Sequence, residues 1–323
     1  MKIKGIISAI IITSLTLIAG GCSSGTDETT QTSSASDTAG YPLTVSNYGR
    51  DITIEKKPEH VLTFGPNCTE LFTALGLNDY IIGTTLNNHS RGPLPEYADA
   101  ISELPELNYG SATREAVISS GADFIYGIDW EFGSEGLDIS ELEGYGMNVY
   151  VNSATSVEEQ YNEITDIGKI FGVEDKAEEF INDQKSRILE VQNKIDSRQK
   201  PDVLVYDSGN DGVFTAGGSN FETTLISLAG GNNIFSDITD KQWTTVSYEE
   251  VLSRNPDIII VHDYDTPSAE EKIKEIKANS VLSQLDCVKN DRFITIDLES
   301  VLPGDRMAYS IEKLAAGFFP DAF

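Results

Sequence analysis

The sequence has few basic residues and few of the residues that carry metal, redox or nucleophilic chemistry. Its 323 residues hold 23 Lys and Arg against 52 Asp and Glu, which gives a formal net charge of −29 at pH 7. Such an excess of negative charge argues against nucleic acid as a partner. His60, His89 and His262 stand apart, and no HExxH, GxSxG or nucleophilic Cys-His pattern accompanies them. Carboxylates are plentiful, but no motif selects a catalytic pair, so we predict no enzyme activity.

Cysteine is scarce, with three residues and no zinc or redox spacing. Cys68 and Cys287 fall in opposite halves of the chain, and we predict that both are small buried apolar residues. No resident metal or cofactor is predicted. Direct zinc or manganese binding is a minor alternative, because His60 precedes a predicted strand and His262 ends one.

The N-terminus has the features of an export signal. Lys2 and Lys4 precede an apolar run of signal-peptide length, and small residues lead up to Cys22. LIAGGC resembles the lipobox of bacterial lipoproteins, which implies cleavage before Cys22 and lipidation of its side chain. The polar stretch that follows is typical of a disordered tether. We therefore predict a lipid-anchored protein at the extracytoplasmic face of the cell membrane, with a plain secreted protein or an uncleaved anchor as alternatives.

The segment from Asp175 to Arg198 predicts one long helix around which the chain is organised. Apolar side chains recur at steps of three, four and seven, which is the pattern of a helix lying along a core. They are Ala177, Phe180, Ile181, Ile188, Val191 and Ile195. Gly172 closes the preceding segment and Pro201 forbids continuation. Such a helix is about 35 Å long and exceeds the width of one small lobe, so it is predicted to be a strut between two lobes.

The stretches on either side of this helix resemble each other. Residues 113–127 and 247–261 each read as a short helix, a turn and a buried strand. Glu115 precedes Asp123 by eight residues, as Glu249 precedes Asp257. The alternation of helix and strand predicts an α/β fold with two Rossmann-like lobes and mainly parallel sheets. The predicted segments are a signal peptide (1–21), a lipidated cysteine and tether (22–40), an N-terminal lobe (41–173), the connector helix (174–199) and a C-terminal lobe (200–323).

Several stretches together resemble the substrate-binding proteins of iron-siderophore and cobalamin ABC importers. They are GRDITIEKKPEHVLTFGPNCTELFTALG, TREAVISSGADFIYG, FTAGGSNFETTLISLAGGNNIF, WTTVSYEEVLSRNPDIIIV, and CVKNDRFITID with PGDR. The resemblance covers nearly the whole chain from Leu43 onward. It implies a ligand cleft between two α/β lobes, and a partnership with an ABC permease dimer and its ATPase subunits. It also implies one glutamate per lobe that docks into arginines of the permease, here Glu115 and Glu249.

The same resemblance implies which side chains form the ligand pocket. Tyr109 and Trp243 each stand six residues before a docking glutamate, so they are expected to face each other across the cleft. Trp130 and Phe214 are expected on its walls, and flat rings suit a large flat ligand. The polar candidates are Arg306, His89 and Arg91. An arginine could bind an anionic chelate through two hydrogen bonds.

The predicted function is capture of a ferric siderophore for delivery to an ABC permease. Cobalamin or haem binding by the same architecture is the alternative, because only the basic residues favour an anionic siderophore. Less favoured alternatives are direct metal-ion binding and a surface lipoprotein with no transport role.

Overall fold

The structure is a computed structural model that describes residues 40–133 and 136–323. The predicted signal peptide, Cys22 and all of the predicted tether except Gly40 lie outside the described residues. Among the helices that are described, none has the length and apolar character needed to traverse a bilayer. The described residues fall within one compact unit.

The N-terminal half is a hairpin followed by a parallel sheet with helices on it. The hairpin turns at Gly49, whose φ of 72° suits glycine, and its two strands pair antiparallel. The strands of the N-terminal half are β1 (Leu43–Asn47), β2 (Arg50–Ile54), β3 (Val61–Phe64), β4 (Ile81–Thr85), β5 (Phe124–Ile128) and β6 (Asn148–Asn152), of which β1 and β2 form the hairpin. Its helices are α1 (Pro66–Ala74), α2 (Ala98–Ser102), α3 (Arg114–Ser119), α4 (Ile139–Gly144) and α5 (Val157–Phe171). The last four strands are parallel, in the order β4-β3-β5-β6.

Helix α1 begins at Pro66. Pro66 occupies its first turn, where a missing N–H costs nothing and the fixed φ suits the helix. Gly65 allows the chain to turn into it, with a φ of 115°. The Thr69 hydroxyl does not cap the helix but donates back to the Gly65 carbonyl at 3.1 Å.

The connector is helix α6 (Glu174–Ile195), close to the predicted bounds. Its buried face includes Ala177, Ile181, Ile188 and Val191, which are four of the six predicted apolar positions. It packs against α5 and against a C-terminal helix (Met307–Phe318) along its length. One apolar core therefore runs from the first sheet, past the connector, into the second.

The C-terminal half contains a second parallel sheet and a smaller antiparallel one. The strands are β7 (Asp202–Tyr206), β8 (Ser208–Gly209), β9 (Val213–Ala216), β10 (Asn232–Asn233), β11 (Trp243–Val246), β12 (Ile258–Asp263) and β13 (Phe293–Asp297). The helices are α7 (Phe221–Leu228), α8 (Tyr248–Arg254), α9 (Ala269–Ala278), α10 (Asp286–Lys289), α11 (Leu298–Val301) and α12 (Met307–Phe318). The parallel sheet has the order β10-β7-β12-β13 and the antiparallel one the order β11-β9-β8.

The two parallel sheets share one topology. In each sheet, the strand that comes first in the chain is flanked by the second and the third, and the fourth lies outside the third. Asp123, just before β5, accepts a hydrogen bond from the amide of His60 at 2.9 Å. Asp257, just before β12, accepts one from the amide of Asp202 at 2.9 Å. The sequence repeat is therefore a structural repeat. In each half the aspartate links the start of one inner strand of the parallel sheet to the start of the other. Cys68 and Cys287 are buried free cysteines, as predicted.

Candidate functional site

A narrow slot lies between the two halves, at the carboxyl ends of their parallel strands. We call it the interlobe slot. Its N-terminal wall follows β5 and β6, and its C-terminal wall comes from α7, β11 and the segment after α11. Its lining residues are Ile128, Asp129, Trp130, Asn152, Ser153, Ala154, Asn220, Phe221, Gln242, Trp243, Val301, Leu302 and Pro303. Ligands of open α/β sheets bind outside these strand ends.

Hydrogen bonds between the halves hold the slot nearly closed. Asn67 donates to the carbonyl of Pro303 at 2.7 Å, and Gln242 donates to Asp129 at 3.4 Å. The slot has a volume of about 20 Å³, which is room for little more than a water molecule. A large ligand must therefore rest on the rings at the mouth of the slot or separate its walls.

Aromatic rings line both sides of the mouth. Trp130 is 41% exposed on the N-terminal side, and Trp243 is partly exposed on the other. Phe214 is stacked on Trp243 with ring centroids 5.5 Å apart, because β9 and β11 are paired strands. The structure thus brings three of the predicted aromatic residues to one site.

His89 continues the aromatic surface across the gap. Its ring lies 6.1 Å from that of Trp130 and is stacked on Tyr264 of the C-terminal half at 5.7 Å. Burial lowers the pKa of His89, so its imidazole is neutral at pH 7. Its Nδ1 lies 3.0 Å from the Asn88 side-chain oxygen. His89 therefore adds a neutral ring and no charge to the mouth.

Tyr109 does not line the slot. Its ring is 58% exposed, and its carbonyl accepts a hydrogen bond from Asn88 in the His89 loop. The residue that shares the slot with Trp243 is Trp130, not Tyr109 as expected from the repeat. The reason is that the segment before α3 is a loop, whereas Trp243 is held in strand β11.

Arg306 is not a free cation in the cleft. It is 3% exposed, and its guanidinium donates to Glu70 at 2.9 Å, Ser300 at 3.0 Å and the Gly92 carbonyl at 3.0 Å. Glu299 lies 3.4 Å from it. Burial raises the pKa of Glu299 to about 7, although Arg306 opposes the shift. The sequence expectation of a ligand-binding Arg306 is corrected, since buried carboxylates already occupy its donors.

Arg91 is partly exposed but also paired. It donates to Asp263 at 2.9 Å and to the carbonyl of Asp265 at 2.9 Å, both in the C-terminal half. Its neighbour Ser90 donates to Glu299 at 2.7 Å. The loop that carries His89 is thus hydrogen-bonded to the C-terminal half through Ser90 and Arg91.

A buried histidine supports the C-terminal wall. His262 packs edge-on against Trp243 at 5.9 Å, and its ring nitrogens lie 3.0 Å from Asp207 and 3.0 Å from Glu222. Burial lowers the pKa of His262, but the two carboxylates outweigh it and raise the pKa to about 9. His262 is therefore an imidazolium at pH 7. Tyr264 also donates to Asp207, at 2.9 Å. One carboxylate therefore positions the rings of both His262 and Tyr264.

This architecture agrees with comparisons to known proteins. A family model described as periplasmic binding protein matches residues 61–299. The chain belongs to the periplasmic binding protein family. The family resemblance inferred from the sequence is thereby confirmed.

Relatives of this periplasmic binding protein include an ABC transporter substrate-binding lipoprotein and vitamin B12-binding proteins. It is 26% identical to the ABC transporter substrate-binding lipoprotein YvrC of Bacillus subtilis, with 100% of this chain and 99% of the relative covered. It is 23% identical to the vitamin B12-binding protein of Vibrio parahaemolyticus, over 64% of this chain and 72% of that protein. A solved periplasmic binding protein from Veillonella parvula matches with a TM-score of 0.77 and 27% identity, covering 85% and 96% of the two chains.

The two glutamates of the repeat occupy equivalent places in this periplasmic binding protein. Glu115 lies in the first turn of α3, and Glu249 in the first turn of α8. Each helix is capped by the side chain before it, Thr113 or Ser247. Both glutamates are exposed, and neither forms a hydrogen bond or ion pair within residues 40–133 and 136–323. Both carboxylates are thus available to an external partner.

Sequence reasoning missed Asp129, Gln242, Asp207, Glu222 and Tyr264. The first two sit beside predicted aromatic residues, and adjacency to Trp130 and Trp243 was the available signal. The carboxylates of Asp207 and Glu222 lie 55 and 40 residues before His262. Nothing in local sequence indicates that they meet.

Proposed function

We propose that this protein is the substrate-binding component of an ABC importer and captures a bulky metal chelate at the mouth of the interlobe slot. The mouth presents aromatic rings, and the charged groups beside it are paired with one another. Such a surface suits the binding of a ligand by apolar contact rather than catalysis. The relatives named above support the transport role. The predicted lipid anchor on Cys22 would keep the protein at the extracytoplasmic face of the membrane, beside its permease.

We further propose that the chelate carries no net negative charge, with a corrinoid as first choice. The observation that carries this choice is the engagement of the basic residues. Arg306 is buried among carboxylates, Arg91 is paired with Asp263, and His89 is neutral. No Lys or Arg is among the residues that line the slot, while Asp129 is. The basic residues that favoured an anionic ferric siderophore in the sequence analysis are therefore no longer a reason to prefer it.

A ferric siderophore remains the second candidate, restricted to uncharged types. A ferric trihydroxamate is neutral and bulky, and the same rings would hold it by apolar contact. Haem is less favoured because no Lys or Arg lines the slot to pair with its propionates, while Asp129 does line it.

Titration with a charge series tests this proposal. The panel is cyanocobalamin, a ferric trihydroxamate, a ferric tricatecholate and haemin, followed by calorimetry and by tryptophan fluorescence corrected for ligand absorbance. We expect a neutral member to bind at micromolar concentration or tighter, and the anionic tricatecholate at least about tenfold more weakly. Tightest binding of the tricatecholate would contradict the charge argument, and no binding by any member would contradict the site.

Trp243→Ala locates the binding surface. Removing the ring should weaken binding of the preferred ligand by about 1 to 3 kcal/mol, because stacked aromatic contact is lost. Tyr145→Ala is the control, since Tyr145 is also exposed but lies in the turn after α4. Equal losses in both variants would show that the rings at the mouth are not the binding surface.

We also propose that Glu115 and Glu249 dock into arginines of the permease. A carboxylate near a helix N-terminus is stabilised by exposed amides and matches the fork of an arginine. The equivalent placement of the two residues, one on each half, suits a dimeric permease.

Replacing both glutamates by alanine should abolish ligand uptake and leave ligand affinity unchanged. Uptake of labelled ligand by cells and calorimetry on the purified protein measure the two effects separately. The matched control replaces Glu158 and Glu270, which are exposed acids in the first turns of α5 and α9. Uptake that survives in the Glu115/Glu249 variant, or is lost equally in the control, rules out the docking role.

A further inference from the structure

A polar pocket opens beside the proposed docking glutamate of the C-terminal half. We call it the α9 pocket. It lies between the segment after β7, the start of α8 and the last turn of α9. Its volume is about 370 Å³, which is within the range of small-molecule sites. Tyr248 lines it and directly precedes Glu249 in the first turn of α8. A partner that reaches Glu249 therefore also meets this pocket.

The wall of the α9 pocket holds a hydroxyl group that lacks a partner. Tyr206 is 2% exposed, and its hydroxyl forms no hydrogen bond within residues 40–133 and 136–323. The oxygen is not fully enclosed, and it opens into the pocket. Gly209 keeps that opening free, since a Cβ there would occupy the space over the hydroxyl oxygen. A buried hydroxyl without a partner is costly, and a bound group that hydrogen-bonds to it removes the cost.

The Tyr206 hydroxyl is a neutral group. Burial raises its pKa, and the nearby Tyr248 and Glu275 add to the shift, so the phenol keeps its proton at pH 7. Its oxygen can therefore accept a hydrogen bond from a cationic donor that also reaches Glu275.

The charge of the α9 pocket is negative. Glu275 is an exposed carboxylate that lines it and forms no ion pair among the described residues. Ile276 and Ala278 of the last helical turn also line it, and the last carbonyls of a helix form the negative end of its dipole. No Lys or Arg is among the described residues that line the pocket. A cationic group is thus the complement of this surface.

The lysines of α9 do not supply that cation. Lys272 is buried, and its ammonium donates to the carbonyl of His262 at 2.9 Å. Lys277 pairs with Asp291. Lys274 is exposed and does not line the pocket. The cation must therefore come from a partner.

The residue types of the pocket favour a flat cation. Tyr206 and Tyr248 contribute aromatic surface, and Glu275 contributes a carboxylate. A guanidinium packs on aromatic rings and donates several hydrogen bonds in one plane, so it can reach a carboxylate and a phenol oxygen together. An ammonium is a compact, strongly hydrated charge and uses such a surface less well.

We infer that the α9 pocket receives an arginine side chain of the permease, beside the arginine proposed to meet Glu249. This inference rests on the proposed docking function and adds a second contact to it. Docking of the C-terminal half then depends on Tyr206 and Glu275 as well as on Glu249.

Amide NMR titration of the mature chain with acetyl-arginine methylamide tests the pocket without the permease. We expect saturable shifts of the Gly209 and Asn279 signals at millimolar concentration, and binding at least about twofold weaker for the lysine counterpart. Glu275→Gln should weaken binding of the arginine probe about threefold. Glu270→Gln is the matched control, because Glu270 is an exposed acid on the same helix that does not line the pocket. Shifts that do not saturate, or equal losses in both variants, would overturn the inference.

Uptake of labelled chelate by cells tests the partner. The double variant Tyr206→Phe/Glu275→Gln should reduce uptake about fivefold or more and leave chelate affinity unchanged, while Glu270→Gln should transport normally. Normal uptake by the double variant, with uptake lost in the Glu115/Glu249 variant, would refute the second contact and leave the docking glutamates in place. If the parent chain bound no chelate, the proposed ligand would be wrong, and the NMR titration would still decide for or against the pocket.

Discussion

Arg306→Met is expected to destabilise the folded protein by about 3 to 5 kcal/mol, because it leaves buried carboxylates without their cation. Glu70 and Glu299 are each 1% exposed, and both lie within hydrogen-bond or ion-pair distance of Arg306. Burial already raises the pKa of both carboxyl groups with the guanidinium present. Urea unfolding at pH 7, followed by circular dichroism, measures the loss.

Arg91→Met is the control for this prediction. Arg91 also pairs across the gap between the halves, but its side chain is 35% exposed, so its loss should change stability by no more than about 1 kcal/mol. A stable Arg306→Met protein with weakened ligand binding would reverse our assignment and restore Arg306 as a ligand residue.

His262→Gln is expected to have the second large effect, a loss of about 3 kcal/mol at pH 6. The substitution keeps a hydrogen-bonding side chain but removes the charge between Asp207 and Glu222. Affinity for the chelate should fall as well, because His262 packs against Trp243. His60→Gln is the control, since His60 is exposed and its loss should cost less than about 0.5 kcal/mol.

The His262 effect should depend on pH in a definite direction. The pKa of His262 is about 9 in the folded protein and about 6.5 in an unfolded chain, so the folded state binds the proton more tightly. Its stabilisation is therefore complete below pH 6.5 and is lost as the pH rises through 9. The parent and His262→Gln should differ most at pH 6 and converge near pH 9 to 10. A difference that does not change with pH would contradict a charged His262.

Regular elements with a strong pattern could be predicted from the sequence. The apolar stripe of α6 and the repeat of helix and strand could both be predicted, because each depends on residues close together in the sequence. The antiparallel sheet of β8, β9 and β11 was missed. Its strands have two to four residues each and are separated by up to 26 residues, so no local periodicity reveals their pairing.

The candidate site was predictable in its residue types but less so in their roles. Trp130 and Trp243 line one slot and Phe214 is stacked on Trp243, and their role in ligand binding stays a prediction. Tyr109 and Arg306 do not lie at this site. Tyr109 is exposed and Arg306 is buried, and residues distant in the sequence decide both outcomes. Arg306 and Glu70 are 236 residues apart in the chain, and only folding brings them together.

The sequence by itself determined the α/β repeat, the connector and the family, since these rest on periodicity, capping and local motifs. The tertiary structure decided which charges are free. Pairing of Arg306 with Glu70, of Arg91 with Asp263 and of His262 with two carboxylates depends on segments brought together by packing of the two halves. Electrostatic interactions act through space, and burial sets their strength. Only the folded structure therefore shows that aromatic rings line the slot and that no arginine does.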